Sequence, residues 1–342
     1  LAVREPVLAA QPTNQAGAVG QATSFAVIAC GTPPLAYRWF KNGDPLSDGG
    51  NISGAAGTTL SLTDLRKTDA GNYSVVVSNT FGSTTSVVAS LTVDDVDVGF
   101  NVSPDGEIDA IAIQPDGKIV LGGNFTALKG QSCSHLGRVN SDGTLDLTFN
   151  APANGVVYAA AILADGKILV GGSFSTLGGH ACQNLGRLHS DGSLDTAFSP
   201  APNGAVAALS VQADGKILVA GEFFAIGGAS RTRVARLNPD GTLDASFTAG
   251  FYYYSAQTIA ALAGGNVLVG GAYKTWPETF YNFTRLLPSG AADASFMPYV
   301  YGGGVRAIAL QPDGKVIVGG DFSQVRGTPR PNLARINTDG TL

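Results

Sequence analysis

Gln311-Pro312-Asp313-Gly314-Lys315-Val316-Ile317-Val318-Gly319-Gly320-Asp321-Phe322 is one copy of a pattern that recurs along most of this chain. Asp-Gly-Lys also stands at residues 116–118, 165–167 and 214–216. Phenylalanines fall at Phe100, Phe149, Phe198, Phe247 and Phe296, with one constant spacing and an aspartate three residues before each, at Asp97, Asp146, Asp195, Asp244 and Asp293. Arginines keep the same beat at Arg138, Arg187, Arg236, Arg285 and, one residue late, Arg335. A period held this long marks tandem structural units. We call the units ending at Phe149, Phe198, Phe247 and Phe296 repeats 1 to 4, and the last one repeat 5.

One unit shows what each repeat builds. Residues 156–163 are β-rich and apolar, and Asp165-Gly166 supplies the positive φ of a tight hairpin. Residues 168–174 return and close on Gly171-Gly172, and a looser stretch follows. Residues 185–189 make a third strand, Asp191-Gly192 a second turn, and residues 194–198 a fourth strand. No helical periodicity interrupts the pattern. Four antiparallel strands per unit, repeated in tandem, predict a β-propeller over residues 95–342. The beat starts with a fourth-strand element at 97–100 and stops after a third strand. Five units could therefore close a ring, the N-terminal segment completing the last blade and removing exposed sheet edges. An array that continues into further blades is the other reading.

The quoted run, with Leu333-Ala334-Arg335-Ile336-Asn337-Thr338-Asp339-Gly340-Thr341-Leu342 after it, resembles the delta-60 repeat, a bacterial β-propeller repeat of large secreted or surface proteins. Repeat 4 departs most, with Gly264-Gly265-Asn266 for Asp-Gly-Lys and Pro288-Ser289-Gly290 at the second turn. The resemblance implies a fold and a secreted or cell-surface location, not a reaction.

Residues 1–94 lack the beat. Phe25-Ala26-Val27-Ile28-Ala29 alternates like a strand, and Tyr37-Arg38-Trp39-Phe40 and Asp69-Ala70-Gly71-Asn72-Tyr73-Ser74-Val75 follow. The tryptophan and the Asp-x-Gly-x-Tyr run resemble an immunoglobulin-like sandwich with a tyrosine corner. That resemblance implies disulfide positions at Val27 and Val75, both apolar here, so a Val27–Trp39–Val75 contact would replace the bridge. The fold expected for the whole is all-β: the sandwich, then the propeller. The opening Leu1-Ala2-Val3-Arg4-Glu5-Pro6 is expected to belong to a longer parent chain with further domains.

Composition narrows the function. Of the 342 residues 44% are apolar and only 14% charged, against about 25% charged in ordinary domains. A net charge of −5 and the lack of a basic cluster argue against a nucleic-acid partner. No apolar run approaches the roughly 18 residues that span a bilayer. No nucleophile elbow, phosphate loop or HExxH is present, and no cofactor is implied.

Three sets of residues are candidates for chemistry. Cys133-Ser134-His135 and His180-Ala181-Cys182 occupy matching loops of neighbouring repeats; they offer a zinc-type set, a disulfide between Cys133 and Cys182, or merely free thiols. Cys30 is out of phase with its strand and reads as a free thiol. After the Gly-Gly position come Asn124, Ser173, Glu222, Ala272 and Asp321. Glu222 and Asp321 are the alternative catalytic pair, since two carboxylates across a channel mouth could hydrolyse a glycoside. Residues 247–301 hold 13 of the 28 aromatics. Tyr252, Tyr253, Tyr254, Trp276, Tyr281, Tyr299 and Tyr301 lie there in the loops that vary between repeats. Rigid aromatic faces with few charges suit sugar rings or partner proteins, and gap-filling between blades is the competing use. The expected function is a non-catalytic extracellular module whose aromatic face binds a glycan or surface protein. A carbohydrate-active enzyme and a purely structural stalk are the alternatives.

Overall fold

A computed structural model describes residues 4–94, 100–249, 255–272 and 282–342. The chain forms two compact units, Leu1–Asn101 and Val102–Leu342. Both are β-structure; the helical turns among the described residues are two short 3-10 segments, Lys67–Asp69 and Ala263–Gly265. No helix among the described residues is long and apolar enough to cross a membrane.

The first unit is an immunoglobulin-like sandwich. One sheet runs Gln15–Ala18, Ala89–Asp94, Gly71–Asn79, Ala36–Lys41, Asp44–Pro45, with its first pair parallel. Thr23–Ala26, Thr59–Leu62 and Ile52–Ser53 form a second, and Val7–Ala10 with Ile28–Cys30 a small third. Trp39 stands opposite Val75 across the sheet. Trp39, Val75 and Val27 share one buried cluster with Phe25 and Tyr73, so close packing fills the space a bridge would occupy. Trp39 Nε1 donates to the Gly57 carbonyl at 3.0 Å, and the Tyr73 hydroxyl to the Asp69 carbonyl at 2.7 Å. Burial, then the nearby Asp69 charge, pushes the Tyr73 phenol up to about 12. Cys30 is exposed and free.

In the second unit each repeat builds a three-stranded antiparallel sheet. In repeat 2 the order is Val157–Ile162, Ile168–Gly172, Leu185–Leu188. A separate small hairpin, Thr176–Leu177 with His180–Ala181, sits in the loop between the second and third strands. The expected fourth strand does not form a ladder. Leu194 makes a single bridge to Leu188, and then the chain turns. The cause is Asp195: its carboxylate accepts the Ala197 N–H at 3.2 Å and its carbonyl the Phe198 N–H at 3.1 Å. Such local bonds compete with strand pairing.

The Gly-Gly pair explains how repeats join. All five first strands carry a bulge at the same place, for instance between Val157 and Ala159. A Cβ on the second glycine would meet the facing backbone, as at Gly172, 2.1 Å from the Val156 carbonyl. The first glycine is instead a hole for the next repeat. Cβ atoms at Gly122, Gly171 and Gly270 would lie 2.4, 2.6 and 2.7 Å from Cγ1 of Val157, Val206 and Val305. In repeat 3 the hole is Ala220 and the next repeat presents Ala256, both in one buried cluster. The larger hole residue meets a smaller knob, so volume is kept.

Close packing runs from each repeat to the next: Glu107–Ile113 against Val157–Ile162, then Val206–Val211, Ser255–Ala261 and Val305–Leu310. No comparably close pairing joins repeat 5 to repeat 1 among the described residues. Closure into a five-membered ring is therefore not seen.

Candidate functional site

The recurring charged residues form one device, built four times. Arg138 Nε donates to Asp146 Oδ2 at 2.9 Å, and Lys118 Nζ reaches the same oxygen at 2.8 Å. The Thr148 hydroxyl donates to Asp146 Oδ1 at 2.6 Å. The Arg138 guanidinium lies 4.5 Å over the Phe149 ring, a cation–π contact, and its Nη1 donates to the Ser190 carbonyl of the next repeat. Arg187 pairs likewise with Asp195 and reaches the Pro239 carbonyl; Arg236 pairs with Asp244 and reaches Pro288. Arg285 pairs with Asp293 and reaches Thr338. Burial alone would raise the Asp146 carboxyl, but bonds from Lys118 and Thr148 and the Arg138 charge outweigh it and hold it below the usual carboxylate range. Against the same effect of burial, Asp195 is held down by Lys167 and Arg187 and Asp244 by Ser246, Lys216 and Arg236, and Asp293 by Ser295 and Arg285. These groups latch one repeat to the next and stay ionised.

A second recurring device keeps the same beat, with an aspartate in one repeat and asparagines in two. Asp105, Asn154 and Asn203 each accept two successive backbone N–H groups at the start of the small hairpin, as Asn154 does from Ser175 and Thr176 at 2.8 and 2.9 Å. They fix the rim.

Glu222 and Asp321 each have an arginine. Arg233 Nη1 is 2.6 Å from Glu222 Oε2, and Arg306 Nε and Nη2 both donate to Asp321 Oδ2, at 2.8 and 2.6 Å. The Arg306 hydrogen bond keeps the Asp321 carboxyl below its ordinary value. A glycosidase acid needs the opposite shift. Neither arginine recurs in every repeat, so the beat gave no signal for them.

Cys133 and Cys182 are free. Each thiol lies in its own repeat and donates to a local carbonyl, Leu136 at 3.4 Å and Leu185 at 3.5 Å. Burial raises both thiols, Cys182 to about 11, so they stay protonated and poor as ligands. His135 Nδ1 contacts the Gly123 carbonyl at 3.2 Å, and His180 is exposed on the small hairpin. Among the described residues no three His, Cys, Asp or Glu side chains gather closely enough to hold a metal ion. A groove of about 560 Å³ beside Cys182 is lined by Ser175, His180, Gln183, Thr196 and Ser199, with no carboxylate.

The aromatic candidates divide. Tyr252, Tyr253, Tyr254, Trp276 and Tyr281 lie outside the described residues. Tyr299 and Tyr301 are half-buried on either side of the fully buried Val300. Tyr299 has a left-handed backbone (φ 44°) and precedes the short strand Val300–Tyr301. The two rings stack with planes 5° apart and centroids 6.5 Å apart. The Arg326 guanidinium sits 5.9 Å from the Tyr299 ring centre and donates to the Met297 carbonyl at 3.0 Å. In place of the Asn154-type clamp, repeat 5 pairs Val300–Tyr301 with Gln324–Val325. This edge therefore departs from the common scaffold while resting on it.

Comparison with known proteins agrees with the two-part architecture. The model described as "Domain of unknown function (DUF5122) beta-propeller" matches residues 114–149, 163–198, 212–247 and 311–342, passing over the divergent repeat 4. The immunoglobulin I-set domain matches residues 6–93. Endoglucanase C of Cellulomonas fimi is 36% identical over 90 residues, 26% of this chain and 8% of that protein. The cell adhesion molecule DSCAML1 of Gallus gallus is 43% identical over 76 residues, 22% of this chain and 4% of that protein. The chain thus spans less than a tenth of the length of these relatives. Among solved structures, the titin M3 domain is 33% identical, covering 27% of this chain and 99% of that domain, with a TM-score of 0.25.

Proposed function

We propose that this chain is a non-catalytic binding and structural module displayed outside the cell, with the edge bearing Tyr299 and Tyr301 as its recognition surface. The observation that carries the reading is a division of labour. The Arg–Asp–Phe devices that recur are tied into the joints between repeats, whereas two parallel tyrosine rings sit half-exposed where one repeat departs from the rest. A flat aromatic pair beside a guanidinium suits the face of a sugar ring or an extended segment of a surface protein. Tyr252, Tyr253, Tyr254, Trp276 and Tyr281 belong to the same variable part of the sequence and are proposed to bind the same partner. Similarity of the first unit to part of a cell adhesion molecule and part of an endoglucanase supports a role as an accessory module, secreted or on the cell surface.

The test is a panel of cell-wall polysaccharides and immobilised cell-surface extract. The intact chain should retain a subset of the panel, and Tyr301→Ala should lose it with the thermal midpoint unchanged. Retention surviving both Tyr301→Ala and Trp276→Ala would remove the surface. Polysaccharide cleavage by the chain that disappears in Glu222→Gln would remove the non-catalytic reading.

A further inference from the structure

The joint between repeats 4 and 5 lacks one part that the first three joints have. In repeats 1 to 3 a lysine beside the first Asp-Gly turn brings its ammonium to the latch carboxylate. Lys118 Nζ is 2.8 Å from Asp146 Oδ2, Lys167 Nζ 3.2 Å from Asp195 Oδ2 and Lys216 Nζ 2.9 Å from Asp244 Oδ2. The matching residue of repeat 4 is Asn266, which leads into the strand Val267–Ala272 as Lys216 leads into Ile217–Gly221. Its side chain is shorter and uncharged. Asp293 keeps Arg285 Nε at 2.7 Å and the Ser295 hydroxyl at 2.6 Å. Among the described residues no second cation pairs with it.

A groove of about 420 Å³ opens at this joint, lined by Leu262, Asn266, Arg285, Phe296, Leu310 and Thr338. The latch side chains are correspondingly more open: Asp293 is 13% and Arg285 16% exposed, against 5% for both Asp146 and Arg138. Every other part of the joint is in place. Arg285 reaches the Thr338 carbonyl as its counterparts reach those of Ser190, Pro239 and Pro288. Its guanidinium lies over the Phe296 ring, and Val305 packs beside Gly270. The groove therefore lies within a formed joint, not on an end of the array.

The three lysine joints show what such a space accepts. Each holds an ammonium next to its arginine, with one carboxylate oxygen shared by both. Asp293 Oδ2 accepts from Arg285 with no lysine beside it, and the carboxylate stays ionised. Aliphatic and aromatic walls next to a carboxylate suit a methylene chain tipped with an ammonium. An anion would instead face Asp293. We infer that the groove between repeats 4 and 5 is a binding site for a primary alkylammonium group, the chemistry of a lysine side chain. Its ammonium takes the vacant place on Asp293 Oδ2, and its methylenes lie along Leu262 and Leu310. The inference does not rest on the aromatic edge.

Thermal unfolding of the intact chain in amine-free buffer, read on the second unit with n-butylammonium as the probe, provides the test. A ligand this small should bind with a Kd on the order of 10 mM. At about 100 mM it should therefore raise the wild-type midpoint by about 3 °C. Tetramethylammonium, a cation without N–H donors, should leave the midpoint unchanged at the same concentration. Asn266→Lys restores the arrangement of the first three joints, on backbone already extended at φ −65° and ψ 155°, and should abolish the response. Asn266→Met fills the groove without a charge and should do the same. Adding Lys216→Ala to Asn266→Lys should bring the response back, because the joint between repeats 3 and 4 is then the vacant one. A wild-type shift with acetyl-Gly-Lys-Gly-amide, absent with the norleucine analogue, assigns the groove to lysine-bearing chains; a shift with butylammonium only assigns it to small amines. No shift with butylammonium overturns the inference. So does a shift that tetramethylammonium matches, that survives both Asn266 variants, or that the double variant fails to recover.

Discussion

Val157 occupies the space a side chain at Gly122 would need: a Cβ there would lie 2.4 Å from Val157 Cγ1. The joint between repeats 1 and 2 depends on the absence of one methyl group. The same relation links Gly171 to Val206 and Gly270 to Val305.

Gly122→Val should therefore destabilise the second unit by about 2 kcal/mol, the scale of overpacking in a filled core. Denaturant unfolding measures it. A loss below about 0.5 kcal/mol would mean that the neighbouring repeat yields easily.

The latch is nearly buried, with Arg187 and Asp195 side chains 10% and 9% exposed. Arg187→Ala leaves a carboxylate short of its partner and the Pro239 carbonyl without its donor. A loss of about 3 kcal/mol is expected. Lys167→Met should cost less than about 1 kcal/mol, because that lysine is partly solvated. Comparing the two midpoints checks the ranking.

Acid should loosen the repeats. Asp146, Asp195, Asp244 and Asp293 are held below the ordinary carboxylate range in the folded chain. The unfolded chain then takes up protons first as pH falls. The latch contribution is complete above about pH 4, where both states are ionised, and is lost as pH drops from there toward the folded values. The thermal midpoint of the second unit should decline below about pH 4, less steeply in Asp195→Asn. An equal slope in both proteins would contradict the assignment.

In the sandwich, Tyr73→Phe removes the bond to the Asp69 carbonyl and leaves the ring packed on Phe25 at 4.7 Å. The expected loss is about 1 kcal/mol, read from the unfolding of the first unit.

Much of this architecture was legible in the residues. The Asp-Gly turns and the even beat specified the hairpins and the tandem order, and Trp39 with Tyr73 specified the sandwich. Arg138 and Asp146 were in phase, so their pairing could be anticipated. The fourth strand failed because Asp195 spends its hydrogen bonds on a local turn, which alternation of apolar residues does not reveal. The purpose of Gly171-Gly172 lay in a neighbour one period away, beyond any local reading. Matching register placed Cys133 and Cys182 in equivalent loops, yet each thiol bonds within its own repeat. For Glu222 and Asp321, the deciding neighbours Arg233 and Arg306 stand at different offsets, so no repeat pattern exposed them. Tyr299 and Tyr301 showed in composition, but their stacking involves a left-handed backbone at Tyr299 that composition does not reveal.

The central claim is that recurring residues hold one repeat to the next and leave the variable edge free for binding. A double-mutant cycle at one joint tests it most directly: Gly171→Ala, Val206→Ala and the pair, followed by denaturant unfolding. The pair recreates Ala220 with Ala256. Each single change should destabilise, one by crowding and one by a cavity, and the double should recover at least about 1 kcal/mol relative to their sum. Strictly additive losses would show that the two positions do not meet, and would contradict the joint on which the account is built.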